Sequence, residues 1–431
     1  MKKKKIIFII LLLMVAQLAV SCGRPTGPAK QPVALVIWKP FEESETWRSI
    51  FEEYTRTHSY VNFVYERKDI ATYEDELLNA LASGTGPDIF SIHNDWLASY
   101  KDKMSPAPKG VFSVREFEDA FVDVARADLY DQENNLYAVP MSVDTLALFY
   151  NRDLLGSAGI AQPPRTWAEA IEAVKSLTRQ DKFGNFLVNG IAMGTDKNVN
   201  RSVDILGLLM LQNGTQVYSS AKNQATMDRE VVAADGSRYN AGAQALEFYT
   251  QFANPAKETY TWNNRNNYSV EAFIAGQTAM MLSYSYMVPV VANKAPLLNF
   301  GVAAVPQVDL SKPKVNFSNY FAEGVSKASK NTEEAWNFLK FATSKESLTK
   351  YYAAHKQPAS RKDIISTQIG DPGVGVFAES ALTAKPLFKP NSSKFDRMFS
   401  DMIEDVILRG KSPSMAVGAG NQVLTQMLLG R

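Results

Sequence analysis

Two hydrophobic periods alternate along residues 33–92. Residues 33–38 (VALVIW) form an unbroken apolar run rich in β-branched side chains, as a strand covered on both faces requires. Trp47, Ile50, Phe51 and Tyr54 then recur three and four positions apart, the spacing of one helix face. Val61, Phe63 and Tyr65 alternate as a strand, Tyr73, Leu77 and Leu81 return to helix, and residues 88–92 supply a third strand. Such alternation predicts right-handed βαβ crossovers, and so a mainly parallel sheet covered by helices, the α/β class. The same habit continues downstream. Thr166 and Glu169 form a capping box ahead of Ala170, Val174 and Leu177. Asn331-Thr332 caps a helix with Ala335, Phe338, Leu339 and Ala342 on one side. No repeat of 20 to 50 residues is present.

The N-terminus is patterned differently. Lys2 to Lys5 precede an apolar stretch, residues 6–20, interrupted only by Gln17 and followed by Ala19-Val20-Ser21-Cys22. Cys22 is the only cysteine, so it has no disulfide to make, and lipid attachment after cleavage is its plain role. The segment (1–21) resembles a bacterial lipoprotein signal, although Ala19 stands where such signals usually carry Leu. An uncleaved anchor or an ordinary signal are the alternatives; the apolar stretch is short for a spanning helix. Residues 22–32, with three prolines and no apolar period, read as a tether. Beyond it no second apolar run approaches 18 residues, and 11% aromatic with 21% charged residues is ordinary for a folded body. The formal charge of +1 includes four signal lysines, and neither sign forms long runs, which argues against nucleic acid as a partner. A body of about 400 residues exceeds one core, so two domains are expected.

Six segments align with one family: 83–92 (SGTGPDIFSI), 137–154 (YAVPMSVDTLALFYNRDL), 163–177 (PPRTWAEAIEAVKSL), 270–282 (VEAFIAGQTAMML), 324–341 (GVSKASKNTEEAWNFLKF) and 357–363 (QPASRKD). In order and spacing they resemble extracellular solute-binding proteins of carbohydrate ABC transporters, nearer to maltose and oligosaccharide receptors than to amino-acid or metal receptors. The resemblance implies a two-lobed, type II periplasmic-binding-protein fold with a three-stranded hinge. Crossings are expected at 139–145, 301–306 and around 352–358. Lobe 1 would then hold 33–142 plus 305–352, and lobe 2 145–302 plus 357–431. The implied protein is a monomeric receptor without cofactor, lipid-anchored outside the cytoplasm. It would close on a sugar or oligosaccharide and hand it to ABC permease subunits.

Sugars offer hydroxyls that need directed partners and C–H faces that pack on rings, so carboxylates, amides, Arg and aromatics should converge on the ligand. Asp95 and Trp96 follow the third strand, where a sheet's carboxyl edge meets a crevice; capping and core cover are their bland roles. Asp144 is a lone acid among apolar neighbours in the first crossing, costly unless paired. Trp38 and Glu42-Glu43 follow the first strand, Glu43 being the ligand candidate. Tyr284 and Tyr286 stand where relatives carry a ring that stacks on sugar. Trp262 lies in the Asn-rich stretch 260–268, suited to a recognition loop. Arg361 could reach the cleft or only brace the third crossing. Asp196 and Arg201 read best as caps for a following helix.

Enzyme and adhesin readings remain beside this one. A glycan hydrolase needs two placed carboxyl groups, which no motif marks. His58, His93 and His355 have no neighbouring ligand at metal spacing, and no Gly-x-Ser-x-Gly elbow occurs. Residues 83–87 lack a phosphate-binding Lys and read as a turn. Residues 196–204 carry Arg201 where an EF-hand loop needs glycine, so no metal site is expected. A surface adhesive lipoprotein would share the anchor without a closing cleft.

Overall fold

The computed structural model describes residues 31–219, 223–232 and 236–430. The signal and Cys22 lie outside the described residues. The first sheet is built on β1 (Val33–Lys39), β2 (Val61–Arg67), β3 (Ile89–His93), β4 (Met104–Ser105) and β5 (Ala138–Pro140). β1 lies between β2 and β3 and runs parallel to both. Its Leu35 and Ile37 are buried, and helices α1 (Ser44–Thr57) and α2 (Ile70–Ser83) add Trp47, Ile50, Tyr54, Tyr73, Leu77 and Leu81 to the same core. Asp69 caps α2 by accepting from the Ala71 N–H, and Gly84 ends it in the left-handed region at φ 73°, where a side chain is strained.

The second sheet holds β7 (Ala147–Asn151), β8 (Arg179–Gln180), β9 (Phe186–Ile191), β10 (Thr278–Ser283) and β11 (Phe300–Ala304), in the order β11-β7-β10-β9-β8. Between the sheets, β6 (Asp144–Thr145), β12 (Asn316–Asn319) and β14 (Ala384–Lys385) form a small sheet, order β14-β12-β6. β13 (Phe321–Ser326) continues from β12 into the first sheet, antiparallel to β3. Helix α3 (Ser202–Gln212) packs on β12, α4 (Gly375–Ala381) packs on β6, and α5 (Ser392–Ile407) packs on α3. Two separate cores result, one under each large sheet.

Both sheets are more mixed than the alternation implies. In the second, only the β9–β10 pairing is parallel. Local βαβ units enforce parallel neighbours, but strands arriving through a crossing are free of that constraint, as β13, antiparallel to β3, and β7, antiparallel to β10 and β11, show. Two crossings also fall later than the sequence reading placed them. The stretch expected to cross at 301–306 stays on the second lobe: Gln307 pairs through its backbone with Arg165, and the Gln212 amide donates to the carbonyls of Pro306 and Val315. The chain changes lobe at 316–321, from β12 into β13. Likewise residues 357–368 remain with the first lobe, because Ala359 bridges Ser142 and Ile364 and Ile365 enter the first core. The change comes at α4, whose Phe377 packs in the second core while Ala378 and Ala381 face the first. Between β5 and β7 the chain passes from the first sheet to the second through β6. Two helix starts qualify the capping pattern. Thr166 accepts from the Glu169 N–H, but the Glu169 carboxylate reaches the Arg165 N–H, and Asn331 precedes its helix without a side-chain cap.

Candidate functional site between the lobes

The carboxyl ends of β1 and β3 form one rim. There Lys39 is buried between Glu42, at 3.1 Å, and Glu323, which also accepts from the Ser91 hydroxyl at 2.8 Å. Glu42 further accepts from Trp47 Nε1 at 2.7 Å and from the Tyr351 hydroxyl. Burial opposes charging of Glu42, yet the Lys39 ammonium and these donors bring its pKa down to about 2. Its neighbour Glu43 turns away: the side chain is 64% exposed and pairs with Arg67 at 3.0 Å. Trp38 is half-buried with the Lys68 ammonium 3.7 Å from its ring centroid. Trp96 is half-buried too, stacked on Tyr100 at 5.4 Å and meeting Phe321 edge-on at 5.9 Å. Phe41, exposed, packs edge-on against Phe321.

Asp95 joins this rim to the other lobe. Its carboxylate binds His93 Nδ1 at 2.5 Å and Lys389 Nζ at 3.1 Å, and Asp95 and Lys389 side chains are each only 5% exposed. Lys389 stands between β14 and α5 and holds Asp396 at 2.8 Å as well. Burial works against both charges, but their mutual attraction prevails and keeps Asp95 well below the usual carboxylate range. Burial also opposes protonation of His93, and the Asp95 charge outweighs it, raising His93 above its ordinary value. A buried ion pair thus spans the two lobes.

The second rim lies at β6, the end of β10 and the start of α3. Asp144 accepts from the Ser285 N–H at 2.9 Å, the Ser285 hydroxyl at 2.7 Å and the Thr145 N–H at 2.8 Å. Loss of water around it outweighs these donors and pushes its pKa up to about 7. Tyr284 is buried and donates to Asp204 at 2.9 Å; Tyr286, stacked on it at 6.2 Å, is 44% exposed. Arg201 Nε and Nη2 both donate to the Tyr286 hydroxyl at 3.2 Å, while Nη1 stands 3.8 Å from Asp204. Arg201 sits just ahead of α3 at φ 61° and ψ 29°, a backbone state costly for a side-chain-bearing residue, with no cap bond and a side chain 37% exposed. The Asp204 carboxylate acts on Lys389 too, so both rims share one electrostatic neighbourhood.

Residues 38–348 match the profile of a family described as bacterial extracellular solute-binding protein. The chain belongs to that family. Members are binding proteins that work outside the cytoplasm, and no helix among the described residues is long and apolar enough to cross a membrane. The solute-binding protein is 24% identical to the galactooligosaccharide-binding protein of Bacillus subtilis, over 83% of this chain and 81% of the relative. It is 21% identical to the maltotriose-binding protein of Pyrococcus abyssi, over 74% and 64%. The structure of a cyclic α-maltosyl-1,6-maltose binding protein from Arthrobacter globiformis superposes with a TM-score of 0.76 at 18% identity, covering 93% of this chain and all of that one. That likeness shows the two-lobed fold.

The sequence-picked residues of this solute-binding protein divide into two groups. Trp38, Asp95 and Trp96 stand at the carboxyl ends of β1 and β3, and Asp144 and Tyr286 at β6 and just beyond β10. The other four need correction. Trp262 is fully buried in the second core with its Nε1 donating to Asn198, because the Asn-rich stretch folds inward onto the 250–253 turn. Tyr284 is likewise covered, and only Tyr286 presents a ring. Glu43 is an outward ion pair. Arg361 braces the first lobe, with Nε and Nη2 each 3.0 Å from Asp363, Nη1 on the Thr343 carbonyl, and its plane over Phe121. Asp196 does not cap α3 through its own carboxylate but accepts from the Ser202 hydroxyl. Two residues were not picked for the site from the sequence: Arg201, read there as a cap although it makes no cap bond, and Lys389. An Arg at a helix start that favours Ser, Asp or Asn was a usable signal at 201. Nothing in the local pattern around Lys389 ties it to Asp95, some 290 positions earlier.

Proposed function

We propose that this solute-binding protein captures a sugar or oligosaccharide between its lobes, closes on it, and presents it unchanged to an ABC permease while lipid on Cys22 holds it at the membrane. The observation that carries the reading is the pair of rims. Half-buried or exposed rings of Trp96, Trp38 and Phe41 offer faces for C–H groups, and Asp144, Arg201 and Tyr286 across from them offer directed acceptors and donors. Relatives whose names specify oligosaccharides support the same ligand class. Trp96, Asp144, Arg201 and Tyr286 are the contacts proposed, with Asp95 admitted to the ligand when Lys389 releases it. A ligand that meets both rims stabilises the closed arrangement, which a permease can sense as shape.

The test is a thermal-shift screen of the mature chain against neutral mono- and oligosaccharides, with product analysis of every positive mixture. A ligand that binds only the folded form raises the melting midpoint, and the sugar should be recovered intact. Stabilisation by none of the sugars, or release of a shorter product, contradicts the reading. For the anchor, mass analysis of the membrane-extracted protein should show acylated Cys22, and a Cys22→Ser protein should appear in the soluble fraction.

A further inference from the structure

A cavity of about 690 Å³ lies between the lobes at the far edge of the crossing sheet from Asp144. Asp144 stands on β6, at one edge; residues 386–389, which line the cavity, follow β14 at the other. Helix α3 links the two places. Arg201 precedes its first turn, and Leu211, in its last turn, lines the cavity roughly 15 Å away. Both lobes supply walls: Asn94, Asp128 and Tyr130 from the first, Thr215, Tyr218 and Phe388 from the second; the Asp95–Lys389 pair that joins the lobes belongs to the lining as well, so the cavity and the rims meet at that pair.

The wall chemistry is specific. Tyr130 Oη and Thr215 Oγ1 are buried, and among the described residues neither has a hydrogen-bond partner. Such unmet groups are costly and rare without a reason. One belongs to each lobe. Tyr218 and Phe388 stack at 4.8 Å, and Phe388 keeps part of its ring exposed as a flat apolar face. Asp128 accepts from Tyr320 Oη at 2.9 Å and Asn94 Nδ2 at 3.0 Å, and burial pushes its pKa up to about 7, so near neutrality it can donate as well as accept. The lysines on the wall are already neutralised, Lys101 by Asp131 at 2.7 Å and Lys389 by Asp95 and Asp396, so an anion finds no spare cation.

Hydroxyls lacking partners, a neutral-capable carboxyl and an open ring face suit one kind of guest. We propose that this cavity is a second binding site, distinct from the Asp144 rim, for a neutral polyhydroxylated molecule of mono- or disaccharide size that pairs with Tyr130 and Thr215 and lays its C–H face on Phe388. Because its walls belong to both lobes, its occupancy depends on the angle between them. By linkage, the guest in the cavity changes affinity at the rims by the same factor that a rim ligand changes affinity at the cavity.

Titration calorimetry of the mature chain with maltose, galactobiose, sucrose and sorbitol tests this, using two double variants. Tyr130→Phe with Thr215→Val removes only the two unmet hydroxyls; Asp144→Ala with Arg201→Ala disables the rim. At least one probe should bind the rim variant, and the hydroxyl variant should weaken that binding by about tenfold or more. The hydroxyl variant loses buried unmet groups, so its ligand-free melting midpoint should equal or exceed the parent's, which removes misfolding as an explanation. Loss of all binding in the rim variant, unchanged binding in the hydroxyl variant, or no binding of any probe overturns the second site. The first two results leave the rim reading standing. If the rim variant instead binds every probe like the parent while the hydroxyl variant fails, the rim reading falls and the cavity is the sugar site.

Discussion

The two rims of the interlobe site solve the problem of charge near a ligand in opposite ways. On the first lobe, apart from Asp95 and its cross-lobe partner Lys389, charge is consumed internally: Lys39 by Glu42 and Glu323, Glu43 by Arg67, leaving rings as the presented surface. On the second, Arg201 is held in a left-handed backbone with the Asp204 carboxylate at 3.8 Å, and burial holds the Asp144 pKa up at about 7. The first rim is a fixed wall whose charges hold the lobe together. The second has groups able to change partners, and directed recognition belongs there.

That contrast breaks first under substitutions at the wall. Glu323→Ala leaves Lys39 buried without its main counter-charge and should cost about 3–5 kcal/mol of stability in urea unfolding, with sugar affinity of the folded protein unchanged. Trp262→Ala, deep in the second core, should cost a similar 3–5 kcal/mol and likewise spare affinity. A variant that kept stability and lost binding would reverse the burial argument. Arg201→Ala should show the mirror image. Loss of a charge-assisted contact, about 1.5–3 kcal/mol, lowers affinity roughly 10- to 100-fold in calorimetry, while stability stays within about 1 kcal/mol.

Acidity sharpens the comparison further. The folded pKa of Asp144 is raised to about 7, above its unfolded value, so its contribution to stability is complete below about pH 4 and is lost as pH rises toward 7. Asp144→Asn should therefore flatten part of the decline between about pH 4 and 7, measured as urea midpoints across that range. An unchanged slope would show that Asp144 ionises freely. The smallest effect is expected at Glu43, whose exposed pair with Arg67 should be worth less than about 1 kcal/mol; Glu43→Ala should alter neither stability nor affinity measurably.

How much of this was legible in the sequence follows from the range of each interaction. The β1–α1–β2–α2–β3 run could be read because its signals are local: period, burial and caps all lie within one element. Asp144 stood out because an acid in an apolar stretch needs an explanation, and the structure supplies one in Ser285. Strand direction could not be read, since hydrophobic period says nothing about whether β11 or β13 returns parallel or antiparallel. The second crossing was misplaced because side-chain and backbone bonds from Gln212 and Arg165 hold 305–315 to the second lobe, and those partners lie some 90 to 140 positions away. Trp262 looked like a recognition residue because polar neighbours suggested exposure, whereas the Asn263 and Asn266 side chains accept from the loop's own N–H groups and Asn198 donates to its carbonyls, which lets the ring fold in. Lys389 was invisible for the same reason of distance: its meaning comes from Asp95 on another lobe.

The central claim is that two lobes close on an unchanged sugar. Small-angle scattering of the mature chain, with and without a saturating sugar from the thermal-shift screen, tests it most directly. The account predicts a smaller radius of gyration with ligand, and intact sugar recovered afterwards. Superimposable curves at saturation, or a cleaved sugar, would contradict it.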